Sequence, residues 1–156
     1  MPNQPTGDPK QHDPSTFSES LSGSCLCGSI TVTIHDKELF TRPRGHICHC
    51  SNCRKVAGSY VASNLLIEAE KVTIDDKDGT LKFYEDKATL ILKLKSETAA
   101  YPGKVVVKMG MMPRIPQPEM EGFGLHRYEW QGAHQGVQIY KIKWAGPEKE
   151  LMSKGS

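Results

Sequence analysis

The feature that most constrains this chain is the stretch GHICHCSNCRK at residues 45–55, which holds three of its five cysteines. Residues i and i+2 of an extended segment share a face, so Cys48 and Cys50 can present their sulfurs together. The two-residue spacer before Cys53 lets the chain turn back, a spacing that recurs in tetrahedral zinc sites. The pattern predicts that Cys48, Cys50 and Cys53 bind one zinc ion and leave its fourth position open.

An open position on a three-thiolate site favours a particular chemistry. Three thiolates on Zn²⁺ give a net charge of about −1, which weakens activation of water but suits a fourth thiolate from a substrate. The metal keeps such a thiol deprotonated near neutral pH. Arg44, Arg54 and Lys55 lie close by in sequence and can offset this charge or meet an anionic substrate. The spacing therefore predicts a site that handles thiols.

The same residues allow other interpretations. His46 and His49 could also be ligands, although His49 lies between two same-facing cysteines and should point away from them. All the thiols could be buried or oxidisable without a metal. The Cys50–Cys53 pair could be a thioredoxin-like redox motif, but the βαβ unit that carries such a motif is not evident here. An odd number of clustered cysteines and no export signal favour metal ligation or catalysis over a disulfide framework.

Length and composition indicate the domain organisation and the kinds of partner to expect. The chain has 156 residues, enough for one domain with a real core. Residues 1–20 are rich in Pro, Ser, Asp and Gln and predict a flexible tail, followed by a domain over 21–147 and a C-terminal tail over 148–156. No apolar run reaches membrane-spanning length, so we expect a cytoplasmic protein without membrane contact. The formal net charge of +2, without a long basic run, argues against nucleic acid as the partner.

Hydrophobic patterning predicts a mainly β fold. Runs of alternating or β-branched residues predict strands at 29–34, 60–67, 71–74, 81–85, 88–95, 104–110 and 137–144. Residues 51–59 predict one or two helical turns. The stretch 111–124 carries three prolines and two glycines, so it predicts an irregular connection.

Two motifs together resemble a known family. GSCLCGSITVTI at 23–34 followed by CHCSNCRKVAGS at 48–59 is similar to the glutathione-dependent formaldehyde-activating (CENP-V/GFA) family, and the looser likeness continues over roughly residues 21–145. The resemblance implies an Mss4-like fold, with twisted antiparallel sheets around a zinc site in a single domain.

The resemblance also implies an activity. Cys48, Cys50 and Cys53 match the family's catalytic zinc ligands, with Zn²⁺ as cofactor and glutathione as cosubstrate. The implied reaction is that of a carbon–sulfur lyase, which forms S-hydroxymethylglutathione from glutathione and formaldehyde or acts on a related electrophile. Four residues within or after the motif are candidates for contacting glutathione: Arg54, Lys55, Ser59 and Asn64.

This chain departs from the family pattern at a second metal site. Cys25 and Cys27 match two of the four ligands of the family's structural zinc, but the mid-chain CxxC that supplies the others is missing, since no cysteine follows Cys53. The pair could still bind metal with a histidine or in a homodimer, or remain simple thiols. The missing stretch could also reflect a mispredicted or truncated gene product. The alternative to the enzyme is a non-catalytic or degenerate zinc-binding module of the same fold, serving protein or nucleic-acid contacts.

Overall fold

The computed structural model describes residues 13–82, 101–144, 146 and 149–154. In this part of the chain the regular elements are nine strands and one α-helix, joined by short 3₁₀ turns. Their bounds are β1 Ser20–Ser24, β2 Ile30–His35, β3 Gly45–Cys48, α1 Ser51–Ala57, β4 Ala62–Glu68, β5 Val72–Asp76, β6 Lys104–Lys108, β7 Pro118–Gly122, β8 Gln138–Tyr140 and β9 Leu151–Lys154.

The smaller sheet is antiparallel and has the order β1-β2-β5. Its central strand, β2, alternates as its sequence predicts, with Ile30, Val32 and Ile34 buried and the residues between them more exposed. The predicted strands at 29–34 and 71–74 are therefore confirmed with small shifts of their ends.

The larger sheet has six strands in the order β6-β4-β3-β7-β8-β9. It is mixed, because β7 runs parallel to both β3 and β8 while the other pairs are antiparallel. The prediction of an irregular connection over 111–124 is wrong for β7. Pro118 starts that strand, a position where its missing N–H is tolerated.

The main core lies between the smaller sheet and strands β4 and β6 of the larger one. Its buried side chains are aliphatic residues and methionines from the strands and the turns between them: Leu21, Val32, Ile34, Leu39, Leu65, Ile67, Val72, Val105, Val107, Met109 and Met112. Burying this set is the main source of stability for a β domain of this size. It also gives β4 and β3 a rigid support.

A buried carboxylate fixes the turn between the two sheets. Asp36 follows β2 and accepts hydrogen bonds from Arg44 Nη1 at 2.5 Å, Lys71 Nζ at 3.2 Å and the Glu38 N–H at 3.0 Å. Burial alone raises the pKa of Asp36, but these donors outweigh it and lower the pKa to about 2. The side chain thereby ties the entrance of β3 to the start of β5.

Packing extends into both predicted tails. Phe17 packs edge-on against Phe40, with ring centroids 4.9 Å apart, and contacts the main core. Near the other end, β9 pairs antiparallel with β8, which is shorter than the strand predicted at 137–144.

The domain boundaries at 20 and 147 stay predictions. The strand predicted at 88–95, and the one at 81–85 beyond residue 82, lie outside the described residues. Within the described part, no helix has the length and apolar character needed to cross a bilayer.

Candidate metal centre

Three thiols converge where the larger sheet meets the helix. Cys48 ends β3, Cys50 caps the N-terminus of α1, and Cys53 lies in its first turn. Their Sγ atoms all lie within 4.8 Å of one another, with Cys48 and Cys53 buried and Cys50 half-buried. In the described residues this is the only such group of three or more potential metal ligands. Closely grouped thiol sulfurs are a donor set that fits zinc.

The local sequence explains this convergence. Cys50 is extended (φ −65°, ψ 153°), and the Cys53 N–H donates to its Sγ at 3.4 Å, so the chain turns tightly after β3. The helix ends at Gly58, which adopts the left-handed conformation (φ 61°) and donates its N–H to the Arg54 carbonyl. Glycine takes this conformation without steric cost. The CSNCRKVAG segment therefore encodes both ends of the short helix that holds two of the three thiols.

Negative charge in this cluster concentrates on one sulfur. Hydrogen bonds from Cys48 and Cys50, aided by Lys108, lower the pKa of Cys53 to about 2 against the effect of burial. The pKa of Cys48 is raised by its hydrogen bonds to the other two thiols and by burial. For Cys50 the hydrogen bond with Cys48 lowers the pKa, but that with Cys53 and burial outweigh it, so the net pKa is raised. The neighbouring thiols and Lys108 therefore favour a thiolate at Cys53.

Lys108 brings a positive charge into contact with this cluster. Its Nζ lies 3.4 Å from Cys53 Sγ and donates to Asn64 Oδ1 at 2.7 Å. Both residues come from adjacent strands, since Asn64 pairs with Lys108 across β4 and β6. An ammonium group at this distance offsets part of the excess negative charge of three thiolates.

Behind the cluster lies a buried histidine–carboxylate pair. His49 points away from the thiols and its Nε2 lies 2.5 Å from Glu121 Oε1, with both side chains fully enclosed. Glu121 also meets His134 Nδ1 at 3.3 Å and Arg127 Nη1 at 3.8 Å. Burial alone raises the pKa of Glu121, but these partners lower it. The pair fixes the backbone of His49, the residue between two of the three thiols.

The two histidines do not join the cluster. His49 is turned to Glu121, as its place between same-facing cysteines predicts. His46 is buried against the Trp144 ring, with centroids 4.5 Å apart, and desolvation lowers its pKa to about 3. His46 therefore behaves as a neutral packing residue.

One residue that packs against the cysteine cluster, Phe123, has a strained backbone conformation. Phe123 has a positive φ of 59°, a conformation that costs a non-glycine residue energy, and its side chain packs against the cysteine cluster. The preceding Gly122 leaves no room for a Cβ, which would lie 2.8 Å from the Trp144 ring, and its carbonyl accepts the His49 N–H at 3.2 Å.

Cys25 and Cys27 form a separate, smaller group in the turn between β1 and β2. Their Sγ atoms lie 3.2 Å apart, and the Ile30 N–H donates to Cys25 Sγ at 3.3 Å. Cys27 is exposed, and hydrogen bonds from Ser29, first the backbone and then the side chain, with one from Cys25, lower its pKa to about 7. Two thiols make half of a tetrahedral zinc site, and no third ligand joins them in the described residues. The structure therefore leaves the predicted metal binding of this pair incomplete.

The predicted glutathione-contacting residues divide into two places. Arg54, Lys55 and Ser59 line one open cavity of about 460 Å³ beside α1. Asn64 is fully buried, lies outside that cavity, and holds Lys108 instead.

A group of exposed aromatic rings lies next to the same cavity, and one of them, Tyr60, lines it. Tyr128 stacks on Trp130 (5.4 Å between centroids), and Tyr60 meets Trp130 edge-on at 5.2 Å; we call these three residues the aromatic ledge. Arg54 lies over the Tyr128 ring and its Nη2 donates to the Tyr128 hydroxyl at 3.0 Å. Tyr60 and Trp130 also line a neighbouring cavity of about 540 Å³. Half to two thirds of the Tyr60 and Trp130 surface is open to solvent, so the ledge is available to a ligand.

Fold and site together define a single-domain, mainly β protein with three cysteines positioned to bind a metal ion. The profile of the glutathione-dependent formaldehyde-activating enzyme family matches residues 20–124, and the chain belongs to this family. The family resemblance and the mainly β, Mss4-like fold predicted from the motifs are thus confirmed.

The chain is similar to a protein of Rhodobacter sphaeroides whose crystal structure is solved, with 14% sequence identity, a TM-score of 0.43, and coverage of 58% of this chain and 86% of that one. No curated protein matches the chain.

Sequence reasoning missed three features around the centre. Lys108 carries a strand pattern only, and nothing in KVVVKMG marks it as facing a cysteine. Glu121 lies in the stretch predicted to be irregular, although its place on β7 beside β3 brings it to His49. Two rings of the aromatic ledge, Tyr128 and Trp130, lie in the HRYEW segment after β7. Nothing in that segment except the aromatic residues themselves indicates a binding surface.

Proposed function

We propose that this protein is a zinc-dependent carbon–sulfur lyase that forms and cleaves adducts between glutathione and an aldehyde, formaldehyde or a larger electrophile. The observation that carries the proposal is the convergence of Cys48, Cys50 and Cys53 Sγ within 4.8 Å, next to a lysine. Membership of the formaldehyde-activating family supports the reaction class.

The three cysteines are the residues that would hold the metal. Zinc bound there supplies a Lewis acid that keeps a substrate thiol deprotonated near neutral pH. Lys108 Nζ, close to Cys53, offsets the charge that a fourth thiolate would add. The His49–Glu121 pair holds the loop between two of the ligands, the kind of support that keeps a metal site in shape.

The reaction itself is a simple addition. The glutathione sulfur forms a bond to the carbonyl carbon of the aldehyde, the carbonyl π bond breaks, and the thiol proton ends on the oxygen. Cleavage is the reverse. No redox change occurs, so no further cofactor is required.

Binding of the glutathione part is assigned to the cavity beside α1. Glutathione is anionic near neutral pH, and Arg54 and Lys55 bring two positive charges to a cavity that Ser59 also lines. Arg54 is held in place by Tyr128, so less freedom is lost when it pairs with a carboxylate. The aromatic ledge next to it offers an apolar surface larger than formaldehyde needs, which favours a larger electrophile as the second reactant.

The test is adduct formation followed by NMR with glutathione and formaldehyde or a panel of larger aldehydes. We expect zinc-loaded protein to speed the exchange, and Cys50→Ser to lose more than about a hundredfold of this rate, as removal of a metal ligand does at least as much damage as loss of its supporting residues. Cys27→Ser is the matched control and should keep the rate. Equal loss in both variants, or no acceleration by the wild type with any aldehyde, would contradict the proposal.

A cobalt-substituted sample separates the enzyme from the non-catalytic module. Glutathione should change the visible absorption of cobalt bound to the three cysteines, because an open position accepts its sulfur. A spectrum that glutathione leaves unchanged would indicate a closed site and favour the binding module.

A further inference from the structure

The Cys25–Cys27 turn is a built pair of sulfurs that the proposed lyase reaction does not use. The Sγ atoms lie 3.2 Å apart, and the turn that holds them is closed by the Cys25 N–H bonding to the Ile30 carbonyl at 2.9 Å and the Gly28 N–H to the Cys25 carbonyl at 2.8 Å. Gly28 has a positive φ of 76°, which the tight turn requires. The turn therefore brings the two sulfurs together.

The pair does not meet the needs of a structural zinc. Such a site takes four ligands, and no cysteine follows Cys53, so this chain has no further pair of thiols to complete it. His35, at the end of β2, is hydrogen-bonded to Thr73 at 3.1 Å.

The turn instead borders a large cavity. Ser24, Cys25 and Leu26 form one side of a space of about 780 Å³, and Lys108 lies in its wall. Lys108 is the residue whose Nζ contacts Cys53, so this cavity reaches from Cys25 to the edge of the three-cysteine cluster, while Cys27 lies on the exposed side of the turn. Its volume and positive charge fit an anionic, tripeptide-sized molecule.

We propose that Cys25 and Cys27 form a thiol–disulfide exchange site for a small anionic disulfide of the glutathione type. The exposed Cys27 thiolate attacks one sulfur of the disulfide, and the first small thiol leaves. Cys25 then attacks the sulfur of Cys27, which forms the Cys25–Cys27 disulfide and releases the second small thiol. The small disulfide is reduced to two thiols while the protein pair is oxidised by two electrons, so the position of equilibrium follows the ratio of the small disulfide to its thiol.

Geometry assigns different roles to the two sulfurs. Cys27 is exposed and Cys25 half-buried, so the incoming disulfide reaches Cys27 first. The lowered pKa of Cys27 adds thiolate near neutral pH, which supports the same order. Cys25 lies within reach to resolve the mixed disulfide.

The test uses the full-length, zinc-treated protein in glutathione buffers of graded redox ratio, with rapid acid quenching, alkylation and peptide mass spectrometry. We expect the wild type to form an intrachain disulfide between residues 25 and 27. Cys25→Ser should trap a stable glutathione adduct on Cys27, because its resolving thiol is gone. Cys27→Ser should react at least about tenfold more slowly, because the exposed nucleophile is gone. Circular dichroism checks that both variants are folded.

Three results would overturn the proposal. Thiols 25 and 27 could both stay reduced in excess glutathione disulfide. The two single variants could give the same adducts at the same rate. Zinc bound between two copies could protect both thiols, which native mass spectrometry would show as a metal-bridged dimer. Because the readout is the redox state of one peptide, it is independent of lyase activity at Cys48, Cys50 and Cys53.

Discussion

The two cysteine motifs of this protein contain similar residues but differ in everything around them. Cys48, Cys50 and Cys53 lie at the junction of a central strand and a helix, with a buried histidine–carboxylate pair behind them and a lysine beside them. Cys25 and Cys27 lie in an exposed turn at the edge of the smaller sheet, with two sulfurs and no third ligand in the described residues. A metal site is thus defined by its supporting residues as much as by its thiols.

The largest expected effect separates the two motifs directly. Cys53→Ser should weaken zinc binding by more than about a hundredfold, since loss of even a supporting residue costs about 10- to 100-fold. Cys25→Ser should leave the affinity within about twofold, as expected for a residue outside the site. Competition with a chromophoric chelator measures both. Equal losses would mean that the two motifs share one metal site.

The next effect tests the support behind the three thiols. Glu121→Gln keeps the size of the side chain but removes the charge that pairs with His49, so zinc affinity should fall about 10- to 100-fold. Glu119→Gln, at an exposed position on the same strand, is the matched control and should have no effect. An unchanged affinity in Glu121→Gln would show that the buried pair serves the fold alone.

A third change separates stability from metal binding. Asp36→Asn removes the charge that pairs with Arg44 and Lys71, and should lower the free energy of unfolding at pH 7 by about 2 kcal/mol. Because the pKa of Asp36 is lowered from 3.8 to about 2, the wild type should have this contribution in full above pH 3.8 and lose it as the pH falls towards 2.

Urea unfolding at graded pH measures this contribution, with the exposed Asp75→Asn as control. Zinc affinity of the folded Asp36→Asn protein should stay near that of the wild type, since Asp36 does not touch the centre. A stability difference that persists at pH 2 would contradict the assigned cause.

The smallest effect concerns substrate binding beside the metal centre. Arg54→Ala should raise the KM for glutathione about three- to tenfold while zinc affinity stays unchanged, because it removes one charge-assisted contact. Arg42→Ala removes an exposed arginine elsewhere and should leave the KM unchanged. A loss of kcat with constant KM would place Arg54 in the chemistry instead of in binding.

A feature of the fold or of the site could be predicted from the sequence when the residues that form it lie close together along the chain. The CxCxxC motif, the short helix after it and strand β2 are encoded locally, by spacing, a glycine stop and alternation. The helix and the strand are confirmed, and the three thiols converge as the spacing predicts, while zinc as their metal stays a prediction. Glu121 reaches His49 across 72 positions of sequence, and Lys108 reaches Cys53 across 55. Such contacts depend on strand order, which alternation cannot specify. The mixed sheet was missed for the same reason, since only the parallel pairing of β7 with β3 reveals it.

The most direct test of the account is zinc per chain by native mass spectrometry on the wild type, Cys50→Ser and Cys27→Ser. The account predicts one zinc on the wild type, one on Cys27→Ser and none on Cys50→Ser. A wild type without zinc, or a zinc that survives in Cys50→Ser and disappears in Cys27→Ser, would contradict it.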